Sequence, residues 1–255
     1  MILCQIELTN YCNFRCNGCL SYIAKRPKGI MPLDILQKSI NLCKELNVQE
    51  IWLQNWGEPL LYPYMNKVIY MIVKENIKPC FITNGSLLNK SLIKYFYKIG
   101  LHKLNISFNA STPINFSFIS HLYDMYDYAN HIGLDCYFRS VVFSKTEYLD
   151  IYSKLKDKKV NWQRGMIHDD SKIRNLDCPA IDKNFIIYWD GTIVPCCQVG
   201  DNEIVYGNVL SCNTSTINLK IRELHRYIKS GTMPSICRHC FEVNCNIPIK
   251  YKLSE

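Results

Sequence analysis

No stretch of the 255-residue sequence approaches the roughly 18 unbroken apolar residues that a membrane-spanning helix requires, so no membrane partner is expected. The opening residues, Met1 to Glu7, carry no basic region and reach an acid at once. That is unlike a signal or transit peptide and makes a cytoplasmic location the expectation. The formal charge of +8 comes without a dense Lys/Arg stripe, which argues against nucleic acid as a partner. A mildly basic balance suits an anionic substrate or an acidic redox protein instead. Internal repeats and low-complexity tracts are missing too, so a solenoid or a linker-rich chain is not expected. Cysteine, by contrast, is abundant at 14 residues. In a reducing compartment, and at this length, they do not read as a disulfide framework, and metal binding is their natural use.

Apolar runs begin near Ile2, Glu50, Lys78, Lys103, Leu134 and Lys159, with amphipathic helical stretches filling most of the gaps. One helix is expected after Pro32, where Leu36, Ile40 and Cys43 recur at spacings of four and three, which makes Cys43 a packing residue. Strands alternating with helices predict an α/β fold with a parallel sheet. In the fourth run Leu104, Ile106 and Phe108 alternate with Asn105, Ser107 and Asn109, and in the first Cys4, Ile6 and Leu8 alternate with Gln5, Glu7 and Thr9. A parallel strand covered on both faces by helices reads almost continuously apolar, so one face of this sheet is expected to meet something polar. A curled sheet with a polar lumen answers that pattern, and such a lumen needs water or a charged ligand to satisfy it. An antiparallel sheet with one wet face is the alternative.

After the first run comes Cys12-Asn13-Phe14-Arg15-Cys16-Asn17-Gly18-Cys19, a C-x3-C-x2-C spacing. Three thiolates on one loop can hold three irons of a cubane and leave the fourth iron open. A closed zinc site needs four ligands, and the nearest histidine in sequence is His102. The spacing resembles that of the radical S-adenosylmethionine (radical SAM) superfamily, which implies a partial (β/α)6 barrel. It further implies a 4Fe-4S cluster on Cys12, Cys16 and Cys19. S-adenosylmethionine would chelate the open iron and be cleaved on reduction to a 5′-deoxyadenosyl radical, the electron coming from a flavodoxin- or ferredoxin-type reductant. Trp56-Gly57-Glu58-Pro59 resembles the family's Gly-Gly-Glu-Pro segment, with Trp56 in place of the first glycine, and Thr83-Asn84-Gly85 resembles its Thr-Asn-Gly turn. By the same resemblance Gly57, Glu58, Thr83, Asn84, Ser107, Asn109 and Arg139 would bind S-adenosylmethionine.

From about residue 165 the pattern changes. Residues 185–194 read as a hairpin turning at Asp190-Gly191, followed by a helix from Thr216 to Lys229. Cys178, Cys196, Cys237 and Cys240 bracket this region and can close a second 4Fe-4S cluster, with Cys197 and Cys245 as alternates. Cys237-x2-Cys240 beside His239 also fits a zinc ribbon, so a non-catalytic zinc module stays open as a reading. The layout resembles the SPASM and Twitch extensions of radical SAM enzymes, the Twitch-type aminocyclitol dehydrogenases among them. The expected organisation is therefore a barrel over residues 1–165 and a small α+β auxiliary-cluster domain over 166–255. That resemblance implies oxidation of a secondary alcohol of a sugar or aminocyclitol, the auxiliary cluster accepting an electron, with Arg164 orienting the substrate hydroxyl. The rival is maturation of a peptide by thioether crosslinking or epimerisation. Cys4, Cys43, Cys80, Cys136 and Cys212 read as small hydrophobes or incidental thiols.

Overall fold

The computed structural model describes residues 3–16, 19–109, 115–142, 145–164, 178, 184–232 and 234–238. Among these residues nine strands form one sheet: β1 (Leu3–Ile6), β2 (Glu50–Trp52), β3 (Lys78–Thr83), β4 (Lys103–Ser107), β5 (Asp135–Val142), β6 (Val160–Arg164), β7 (Asn184–Ile187), β8 (Thr192–Val194) and β9 (Gly207–Asn208). The first six lie within a residue of where the apolar runs place them. Their order is β6-β5-β4-β3-β2-β1-β7-β8-β9, with every pair from β6 to β7 parallel and the last two antiparallel. The expected hairpin is present as β7–β8, but β7 also pairs in parallel with β1, so the sheet runs unbroken into the C-terminal region.

Helices α1 (Leu20–Ile23), α2 (Leu33–Glu45), α3 (Met65–Lys74), α4 (Lys90–Lys98), α5 (Phe116–His131) and α6 (Lys145–Leu155) connect the parallel strands. The C-terminal region adds α7 (Thr214–Lys229) and α8 (Ser235–Arg238). Their ends follow one local grammar. Asn89, Asn115 and Asn213 cap α4, α5 and α7 by accepting the N–H three residues on. The Asn213 cap starts α7 at Thr214, two residues before the sequence pattern does. Two residues past the ends of α2, α3, α4, α5 and α7, the chain turns through the left-handed region at Asn47, Asn76, Gly100, Gly133 and Gly231, residue types that tolerate it.

Strand pairing sorts the side chains by face. Cys4, Ile6, Leu8, Ile51, Leu53, Phe81, Leu104, Ile106, Phe108, Cys136 and Phe138 are buried against the helices together with Leu36, Ile40, Cys43, Val68 and Ile72. The register carries Glu50, Lys103, Asn105, Ser107, Tyr137 and Arg139 onto the other face with Gln5. The alternation in β1 and β4 therefore does mark a partial barrel with a polar interior, and all-parallel pairing through β6 sets aside the antiparallel alternative. Asn105 is only 1% exposed, and neither its Oδ1 nor its Nδ2 has a hydrogen-bond partner in the protein. Buried amides without a protein partner are what a lumen shaped for water or a polar ligand leaves behind.

Candidate active site

The loop after β1 lies between two turns that hold it. Gly57 packs so closely that an added Cβ would sit 2.0 Å from the Thr9 carbonyl oxygen and 2.8 Å from that of Tyr11. Only glycine leaves room there. The next N–H, that of Glu58, donates to Tyr11 O at 2.8 Å and fastens the β2 loop to the cysteine loop. Glu58 itself is 2% exposed, and its carboxylate accepts from Thr83 Oγ1 (2.6 Å), Asn84 N (2.8 Å) and Leu60 N (3.1 Å). Burial pushes its pKa up, and those three donors pull it back. The segments around Glu58 and Thr83 are thus joined, Glu58 serving as the tie. Asn84 then reaches the cysteine loop, its Nδ2 donating to Asn13 Oδ1 at 2.8 Å and lying 4.0 Å from Cys12 Sγ.

Cys12 Sγ also accepts from Phe14 N at 3.4 Å, and Tyr22 of α1 donates back to Phe14 O. Half-burial raises the Cys12 thiol pKa, and the neighbouring Glu58, Cys19 and Cys16 raise it further. A bound cation inverts that balance, because a coordinated thiol gives up its proton. Among the described residues no three His, Cys, Asp or Glu side chains form a ready-made metal site. Cys12, Cys16 and Cys19 nonetheless share one short loop, a soft donor set that suits iron–sulfur ligation. The residues fit the cluster and its ligand in one further respect, the polar lumen, whose buried Asn105 amide has no partner in the protein.

On the lumen face, Asn109 Nδ2 donates to Ser107 Oγ (2.9 Å) while its Oδ1 accepts from Val141 N (2.7 Å), which fixes both side chains at the end of β4. Arg139 pairs in register with Ser107 on one side and Asn161 on the other. Arg164 pairs with Val142, one step out of phase with the Arg139 row, and its side chain lies outside the described residues.

The C-terminal cysteines are less gathered. Cys178 and Cys237 pack against the main core, whereas Cys196 and Cys197 pack against a small cluster of Ile186, Tyr188, Val194 and Val199. Cys240, Cys245 and His239 lie outside the described residues. Cys4, Cys43, Cys80 and Cys136 are fully buried as expected of packing residues, while Cys212 is half-buried.

Sequence reading passed over one group. Arg26 is buried against Glu7 of the lumen face, its Nη2 donating to both carboxylate oxygens at 3.0 Å, and Asn55 Nδ2 adds a 2.7 Å bond to Glu7. Trp56, the residue that stands where the family pattern has glycine, donates from Nε1 to Cys197 O at 3.1 Å. The available signal was the alternation that put Glu7 on the polar face, since a buried carboxylate there requires a cation.

A model of the radical SAM superfamily matches residues 6–155, and one of the SPASM iron-sulfur cluster-binding domain matches residues 178–241. GTP 3′,8-cyclase of Staphylococcus saprophyticus is 25% identical over 244 residues, covering 83% of this chain and 72% of that protein. The Aquifex aeolicus GTP 3′,8-cyclase is 28% identical over 116 residues, which cover 43% of this chain and only 35% of that protein. Among solved structures, BtrN in complex with AdoMet and 2-DOIA superposes with a TM-score of 0.70 at 18% identity, over 95% of this chain and 94% of that one. Streptococcus suis SuiB bound to precursor peptide SuiA gives 0.66 at 16% identity, over 90% and 66%. Native anSMEcpe with AdoMet and the Kp18Cys peptide gives 0.68 at 14%, over 91% and 84%.

Proposed function

The chain belongs to the radical SAM superfamily and carries a SPASM-type C-terminal region, and from that premise we propose that it matures a peptide, forming a thioether crosslink or an epimerised centre. When bound, the S-adenosylmethionine cluster supplies the 5′-deoxyadenosyl radical of the superfamily, and the auxiliary cluster an electron acceptor. A non-catalytic zinc module does not account for the superfamily match. The observation that carries the peptide reading is the fold shared, over about nine-tenths of this chain, with two proteins solved with peptides bound. The sheet ends at β6 on one side and β9 on the other rather than closing on itself, an opening suited to an extended chain.

In this reading Cys12, Cys16 and Cys19 hold the first 4Fe-4S cluster, and Cys178, Cys196, Cys237 and Cys240 the auxiliary one. The boundary between the two parts falls near residue 165. Gly57 lets the β2 loop seat against the Thr9–Tyr11 backbone, Glu58 and Asn84 hold the cysteine loop in place, and Thr83 completes that tie. Ser107 and Asn109 offer hydroxyl and amide groups to the ribose, and Arg139 pairs with the carboxylate of S-adenosylmethionine. A flavodoxin- or ferredoxin-type protein is the reductant, and Arg164, whose register takes it off the Arg139 row, is given no part in orienting the substrate.

A second reading, oxidation of a sugar or aminocyclitol alcohol to a ketone, is favoured by the near-complete mutual coverage with BtrN bound to 2-DOIA. Anaerobic turnover in deuterated buffer separates the two. Peptide products that lose two hydrogens or gain one deuterium support maturation. Peptides returned unchanged, with a ketone formed from an aminocyclitol, would replace it with the second reading.

A further inference from the structure

The stretches that adjoin the two sets of cysteines are clasped together. Asp201 Oδ1 accepts the N–H of Lys25 and that of Arg26 (3.2 Å), Arg26 Nε donates to Gly200 O at 3.0 Å, and Trp189 Nε1 donates to Pro27 O at 3.3 Å. The Arg26 guanidinium lies 3.5 Å from the Tyr188 ring centre and 5.2 Å from that of Trp56. Trp56 in turn holds Cys197 O, and Gly200 gives its indole room, an added Cβ there lying 3.1 Å from Cη2. Residues 24–27 lie just past Cys19, and residues 197–201 follow Cys196 directly. Ring stacking, an ion pair and five N–H donors converge on this junction, far more than loop connection alone requires.

We propose that Arg26 and Asp201 are positioning residues that lock the Cys196–Cys197 loop against the return limb of the Cys12–Cys19 loop, so that occupancy of the S-adenosylmethionine site steadies iron at the auxiliary site. The proposal rests on the two-cluster reading above. Glu7 and Arg26 are both buried, and such a pair contributes fixed geometry more than stability. Because Arg26 is bonded at once to Glu7, just past β1, and to Gly200, displacement of the first loop cannot leave the second in place. Coupling of this kind is reciprocal: whatever steadies one loop steadies the other.

The experiment follows iron retained by the anaerobic holoenzyme under EDTA, with and without S-adenosylmethionine, reading the auxiliary centre by its own electron paramagnetic resonance signal. In the wild type, S-adenosylmethionine slows auxiliary iron loss about fivefold, the low end of ordinary allosteric coupling. Asp201→Ala removes only an exposed acceptor, so it folds and still cleaves S-adenosylmethionine, but the protection disappears. Arg26→Lys keeps the charge, loses the fork, and gives intermediate protection. Protection absent from the wild type, or undiminished in Asp201→Ala, overturns the proposal. Cys237→Ala protein with the full wild-type iron content would instead sink the auxiliary-cluster reading, and the proposal with it.

Discussion

The two ends of the molecule bury different chemistry. Among the described residues, every fully buried polar or charged residue, from Glu7 and Arg26 through Glu58 and Asn105 to Ser140, belongs to the N-terminal part, whereas the fully buried residues of β7, β8 and α7 are apolar, Phe185, Ile193 and Ile217 among them, and only the Oδ1 of half-buried Asn184 departs from that. Burying polar groups costs free energy unless they are paired, so a fold concentrates them where they act. The N-terminal part gathers its buried polar groups about the lumen and the cysteine loop, whereas the C-terminal part adds apolar residues such as Phe185, Ile193 and Ile217 to the same core and carries its cysteines in loops.

The sharpest way to break that comparison is to remove one cysteine from each end. Cys16→Ala should abolish 5′-deoxyadenosine formation, while Cys237→Ala should retain S-adenosylmethionine cleavage and lose substrate turnover; anaerobic reconstitution with product analysis reads both. Equal loss from either variant would mean that the two ends do not divide the labour. Next in size, Glu58→Ala leaves three donors facing a buried void, at a cost of about 3 kcal/mol. Urea denaturation reads the loss, and S-adenosylmethionine binding should fall with it. A pair of glycines gives a smaller contrast. Gly57→Ala forces backbone apart and should cost about 2 kcal/mol. Gly231→Ala, with nothing within 4 Å of its new methyl group, should cost about 1 kcal/mol from its left-handed backbone alone.

The smallest expected difference lies in titration. Burial raises the pKa of Glu58 in the folded protein above its ordinary value of 4.5, so the proton favours the folded form. That contribution is complete below about pH 4.5 and is lost as the pH rises through the folded value. Glu58→Gln removes this titration, and its stability should decline less than that of the wild type between pH 4.5 and neutrality. Parallel curves would show that Glu58 does not titrate there.

What could be read in advance divides along the same line. Cys12, Cys16 and Cys19 lie within one loop, so their spacing alone carries the chemistry, and strict alternation in β1 and β4 reveals the polar lumen. The ties that hold the site are different in kind. Glu58 meets Thr83 across 25 residues, and Trp56 meets Cys197 across 141. No local pattern encodes a contact that only the fold creates. The pairing of β7 with β1 was hidden for the same reason, since the apolar run from Phe185 says strand but not beside which neighbour.

That pairing also sets an order of events for a chain made from its N-terminus. β1 emerges before β2 and β7 and lies between them, so one of its edges has no native partner in the sheet until residues 184–187 have been synthesised. Until then a short strand with Cys4 and Ile6 presents open hydrogen-bonding groups. Docking of β7 covers that edge, so the interval before it is when β1 is most open to misassembly.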